Sequence, residues 1–227
     1  MAKKKKNKIT QKRVLNDPAF ERTRENNAEF GRAGTANKVF RHAFYLAITN
    51  KADRYVSGRL TKIMYKVLQS DPVNGRGERR VAKGVLAMLE GFNFNRDTSL
   101  QSVLYAPYNI ELDTAARQVT VTFPKFMSGA MIANASGATE FKLTGMAASL
   151  NFEESTFPPE SVQTGILGIS NHLRQTLQLQ LPVQDHKATH AIVVVLGIEF
   201  YRLSKGAIEP MNKKGNALAV VKVFAPL

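Results

Sequence analysis

Six apolar residues run without a break at positions 191–196, Ala-Ile-Val-Val-Val-Leu, and three of them are consecutive valines. A run this short and this rich in β-branched side chains suits a strand covered on both faces. After Gly197 the pattern changes. Ile198, Phe200 and Leu203 interleave with Glu199, Tyr201 and Arg202, which predicts one covered and one wet face. A strand of this kind needs other strands around it.

The neighbours are legible after residue 91, where apolar periodicity shifts towards two. Phe92 and Phe94 alternate with Asn93 and Asn95. Residues 108–113 and 118–123 read as two strands joined in a hairpin. Residues 141–152 hold two strand-like stretches, and Phe157-Pro158-Pro159 breaks the pattern. Leu177, Leu179 and Leu181 alternate with Gln178 and Gln180, a half-buried strand. Residues 206–215 read as a loop, and 217–224 as a last strand antiparallel to the run at 191–203. The expected fold is α+β: a basic N-terminal arm and helices, then a mainly antiparallel β-sandwich over 91–227, with a partly open barrel as the alternative.

The first 90 residues differ in kind. Residues 1–35 read as a basic, largely extended arm, with Met1 and Ile9 the only sizeable apolar residues up to position 13 and Phe20 and Phe30 the only large apolar anchors after Leu15. Residues 36–90 read as a basic helical region. Val39, Phe40, Ala43, Phe44, Ala47 and Ile48 fall on one helical face, and Val56, Leu60, Ile63, Met64, Val67 and Leu68 on another. A break at 70–77 precedes a third helix expected over 78–90.

Charge follows the same division. Residues 1–90 carry 21 Lys and Arg against eight Asp and Glu, whereas residues 91–227 carry 11 against ten. Excess positive charge confined to one part of a chain points to a polyanionic partner for that part. The chain lacks cysteine, which excludes disulfides and thiolate metal sites and fits a cytoplasmic, reducing location. It contains no apolar run of about 18 residues, so no membrane-spanning helix is expected.

Three sets of cations are candidate phosphate contacts. The first is the terminal segment with Lys3, Lys4, Lys5, Lys6, Lys8, Lys12 and Arg13, expected to be mobile when free. The second is Arg59, Lys62 and Lys66, a stripe along the second helix. The third is Arg76, Arg79, Arg80 and Lys83 around the turn Asn74-Gly75-Arg76-Gly77. There glycine amides and a following helix N-terminus would cradle an anion.

Metal and catalytic patterns are weak. His186 and His190 are separated by four, but they precede a strand, where extended geometry would part the imidazoles. His42 and His172 stand alone. Glu111 with Asp113, and Glu153 with Glu154, are the nearest carboxylate pairs, and neither lies in a recognisable catalytic context. The sequence therefore reads as a non-enzymatic nucleic-acid-binding protein, on DNA or RNA, with no metal and no cofactor. The alternative is a structural or assembly protein: a homo-oligomer formed through the β-sandwich, its basic arm reaching a neighbouring subunit or packaged nucleic acid.

Overall fold

The computed structural model describes residues 9–133, 137–152, 159–184 and 187–226. Lys3, Lys4, Lys5, Lys6, Lys8, the Glu153–Glu154 pair, Phe157-Pro158, and His186 lie outside them.

Helix starts more than 20 residues earlier than the periodicity predicts. Thr10 accepts the Arg13 amide and opens α1 (Gln11–Asn16). Asp17 caps a 3-10 turn at Pro18–Phe20, and α2 (Glu21–Ala43) follows. Of the expected extended arm, residues 11–16 and 21–35 are thus α-helical. Gly31 and Gly34, whose spacing would suit a turn or flexible joint, sit inside α2, where an added Cβ would meet nothing within 4 Å. The opposite side of α2 buries Ala33, Ala36, Phe40 and Ala43, and that packing overrides the glycines' low helix propensity. A turn at Phe44 leads to α3 (Tyr45–Ile48), then α4 (Val56–Gln69), which buries Val56, Leu60, Met64, Val67 and Leu68. Helices α2 and α4 run antiparallel. Asn37 donates to the Ser57 carbonyl at 3.1 Å and to the Thr61 hydroxyl at 2.8 Å, and the Phe30 and Tyr65 rings lie 6.3 Å apart.

The third expected helix is instead two 3-10 turns, Val81–Lys83 and Leu86–Leu89. Gly84 between them passes so close to α4 that an added Cβ would fall 1.9 Å from the Val67 carbonyl oxygen. A helix carrying side chains could not approach α4 this closely.

Strands follow in order: β1 (Asn109–Asp113), β2 (Gln118–Phe123), β3 (Phe126–Met127), the single-turn α5 (Ser128–Met131), β4 (Glu140–Leu150), β5 (Val162–Gln163), β6 (Leu167–Gly168), β7 (Leu173–Arg174), β8 (Leu177–Pro182), β9 (Ala191–Ser204), β10 (Ala207–Pro210) and β11 (Ala217–Phe224). Pairing is antiparallel throughout. The fold is α+β, with helices first and antiparallel sheets after. β9 is the centre of the larger sheet. β4 pairs along it from Glu140↔Tyr201 to Leu150↔Ala191, and β11 and β10 share its other edge. β10 occupies part of the stretch expected to be a loop. β1, β2 and β8 form a smaller, curled second sheet.

Alternation along β9 divides the interior into two cores. Ile192, Val194, Leu196, Ile198 and Phe200 face the small sheet and meet Val119, Val121, Phe123, Leu179 and Leu181. Val193 and Val195 face the helices and meet Phe40, Phe44, Leu60 and Met64. The apolar run reads as covered on both faces because helices lie over one side and a sheet over the other.

Beyond the run, the same helix-facing side carries charge. Lys51, after α3, reaches Glu199 with Nζ–Oε1 2.7 Å, and Lys142 on β4 approaches the same oxygen at 3.5 Å. Gly197 makes room for the Lys51 stem, because a Cβ there would lie 2.8 Å from Lys51 Cδ. Burial pushes the Glu199 carboxyl up, but the two ammonium groups outweigh that and hold it below its ordinary value. Burial lowers Lys51, and Glu199 only partly restores it.

Candidate nucleic-acid interface

Helices α2 and α4 turn one side to the core and the other to solvent. Residues 30–70, from the middle of α2 to the end of α4, contain eight Lys and Arg and one carboxylate, Asp53. Three of the cations serve the fold. Arg32 pairs with Glu78 at 3.2 Å and donates to the Gly77 carbonyl at 2.6 Å. Lys51 pairs with Glu199. Arg59 pairs with Asp53 and donates to the carbonyls of Asn93 at 2.6 Å and Phe94 at 2.8 Å, with its guanidinium 5.2 Å from the centre of the Phe92 ring. Arg59 therefore ties α4 to the segment that runs beside β11, and is not a free member of the expected stripe.

The other five, Lys38, Arg41, Arg54, Lys62 and Lys66, are exposed, and none pairs with a carboxylate among the described residues. Arg41 donates to the Ser57 hydroxyl at 3.1 Å across the α2–α4 junction. Lys62 and Lys66 keep the outward positions the sequence predicts. Lys38, Arg41 and Arg54 were not among the predicted contacts. The signal that finds them is the absence of acidic residues between 30 and 52 and between 54 and 70. Aromatic rings border this surface: exposed Phe30 against half-buried Tyr65 at one end, exposed Tyr45 and Tyr55 at the other.

Asp53 organises the second end. Its carboxylate accepts the amides of Tyr55 at 2.6 Å and Arg96 at 2.9 Å, and also the Arg59 guanidinium. Burial raises its pKa, and these donors lower it further than burial raises it, so it lies below the usual carboxylate value. The result brings two guanidiniums to one ring. Arg54 lies 4.6 Å and Arg96 4.8 Å from the Tyr55 centroid.

The glycine turn is arranged differently from its sequence reading. The Gly77 amide donates to Glu29 Oε1 at 2.8 Å, and Glu29 is buried in α2. Arg76 pairs with Glu25 at 3.2 Å and with Asn26 at 2.9 Å, and Arg79 approaches Glu29 at 3.9 Å. The turn does hold an anion, but that anion is the chain's own. No α-helix follows to add its N-terminus. Arg80 and Lys83 line a separate cavity of about 380 Å³ with Asn74, Thr189 and His190, and Lys83 is exposed. Lys12 is exposed on α1, whereas Arg13 is engaged by Asp17 at 3.1 Å and lies 5.7 Å from the Phe20 ring centre.

No group of three or more metal-ligating side chains occurs among the described residues. His190 contacts the Ser149 hydroxyl at 3.2 Å. No helix of the described residues is long and apolar enough to cross a membrane. No protein-family model matches the chain, and no curated protein matches it either.

Proposed function

We propose that this chain binds nucleic acid without catalysing a reaction on it, using the outward face of α2 and α4 to contact phosphates. One observation carries the reading: eight cations and a single carboxylate over residues 30–70, with that carboxylate already held by Arg59. From residue 30 onward this face has no free counter-charge of its own, which makes it complementary to a phosphate backbone, and its binding energy comes chiefly from counterion release. The interacting set is Lys38, Arg41, Arg54, Lys62 and Lys66. Lys12 and the terminal lysines add to it by charge. Phosphates carry no sequence information directly, so the recognition is expected to be broad.

Salt dependence tests this. Five phosphate contacts give a slope of log affinity against log salt of about −4.5 on duplex DNA and about −3.5 on a single strand. Reversal of Lys38, Lys62 and Lys66 to Glu removes at least three contacts, so the slope shallows by about 2 to 3 and affinity falls on every sequence alike. Melting stays unchanged, because none of the three is paired with a carboxylate. A triple variant that binds like the parent, with the same slope, refutes the reading.

The assembly alternative rests on a different observation. Leu203 and Ile208 face each other across the β9–β10 hairpin and are 53% and 48% exposed. It predicts that the triple variant keeps any nucleic-acid affinity and that the protein sediments as an oligomer.

A further inference from the structure

We infer that the Arg54–Tyr55–Arg96 cluster is a stacking site for an unpaired base, so that the partner is a single strand rather than a duplex. The inference rests on the nucleic-acid reading above and narrows it. A duplex offers phosphates on its outside and hides its base faces, so a surface evolved for a duplex needs cations and no exposed rings. This surface has both. Tyr55 is 45% exposed at the start of α4, with the Arg54 and Arg96 guanidiniums within 5 Å of its ring centre. Half-buried Asp53 fixes the backbone of Tyr55 and Arg96 through two amide hydrogen bonds, and Arg54 donates to the Tyr55 hydroxyl.

The Arg54 and Arg96 guanidiniums lie over the Tyr55 ring, and such a stack suits a nucleobase laid on an outer guanidinium face, with its neighbouring phosphates on the guanidinium edges. From Tyr55 the helix α4 continues past exposed Lys62 to half-buried Tyr65, a rise of about 15 Å for ten residues. Tyr65 there meets the exposed Phe30 edge. The Tyr55 cluster and the Phe30–Tyr65 pair, with Lys62 between them and Lys66 just beyond, form a track for an extended strand. Gly34 and Gly58 lie along it with open space where side chains would stand, which keeps the surface between the helices low.

The test compares labelled oligothymidylate of about 15 nucleotides with a duplex of equal length. The parent is expected to bind the single strand at least about tenfold tighter, and Tyr55→Ala to lose about tenfold on the single strand while leaving duplex binding unchanged. The chain has no tryptophan, so Tyr55→Trp introduces a unique fluorophore. Its emission is expected to be quenched by oligothymidylate and not by duplex. Equal affinity for both forms, with Tyr55→Ala binding like the parent and no selective quenching, overturns the inference and leaves the phosphate reading standing. Failure of the parent to bind either form overturns both.

Discussion

Replacing Glu199 with Gln removes the single negative charge from a site that holds two positive ones. In the parent, Lys51 and Lys142 lie 2.7 and 3.5 Å from one oxygen of Glu199, with the Lys51 side chain 3% exposed. At an effective dielectric of about 20 those separations correspond to attractions of about 6 and about 5 kcal/mol, largely offset by the cost of desolvating the charges. Without the carboxylate, Lys51 is a buried ammonium facing another cation. Its escape is to lose its proton, which from an ordinary value of 10.5 costs about 5 kcal/mol at pH 7. That figure caps the penalty, and about 3 to 5 kcal/mol is expected. Lys51→Met is milder, about 1 to 3 kcal/mol, because Glu199 keeps Lys142. The pH dependence has a definite sign. In the Gln variant the folded state binds fewer protons than the unfolded state, so its stability deficit shrinks as pH rises from 7 towards 10. Urea unfolding of the parent and both variants at pH 7 and pH 9 measures this. A Met variant as damaged as the Gln variant, or a Gln deficit that does not change with pH, would refute the account of Glu199 as the shared anion.

Asp71 is expected to behave as an acid-sensitive clasp. It is buried and accepts from the amides of Val73, Asn74 and Arg80 and from the Asn74 side chain, and these outweigh the burial that raises its pKa, leaving it at about 2 against 3.8. The shift corresponds to about 2 kcal/mol of stability, present above pH 4 and lost as pH falls towards 2. Asp71→Asn should lose about that much at pH 7, with the gap to the parent closing in acid when unfolding is followed by circular dichroism. Arg59→Ala should cost about 2 kcal/mol by leaving Asp53 and two carbonyls short of a donor, a drop of about 4 to 8 °C in melting temperature by calorimetry.

The core was easier to read than the surface, for a physical reason. Burial imposes a period: Ile192, Val194 and Leu196 can only face one layer and Val193 and Val195 the other, and the sequence shows that directly. What covers the second face was not visible, because Val193 and Val195 pack on Phe40, Leu60 and Met64, more than 120 residues away. The start of α2 was missed because its inward side uses Glu29, Ala33 and Ala36, residues with little apolar signal. Cations carry no period at all. Arg59 and Lys62 are alike in sequence, and only Asp53 and the carbonyls of Asn93 and Phe94 make one of them structural.

The partition of charge in the first 90 residues then follows from where their carboxylates are used. Of eight, Asp17 holds Arg13, Glu25 holds Arg22 and Arg76, Glu29 takes the Gly77 amide, Asp53 holds Arg59, Asp71 caps the turn after α4, Glu78 holds Arg32 and Glu90 holds Lys222. Seven of the eight acids in this part of the chain are thus engaged in the fold; the eighth, Glu21, lies at the exposed start of α2, and none is left to neutralise the outer face of residues 30–70. The cations engaged in the fold are therefore different from those left on the outer face. Variants of Arg32, Lys51 and Arg59 should change melting, because each has a carboxylate to abandon. Variants of Lys38, Lys62 and Lys66 should change only what the surface attracts. A like-charged face of this kind repels itself and gains nothing for the fold, which is the physical ground for assigning it to a polyanionic partner.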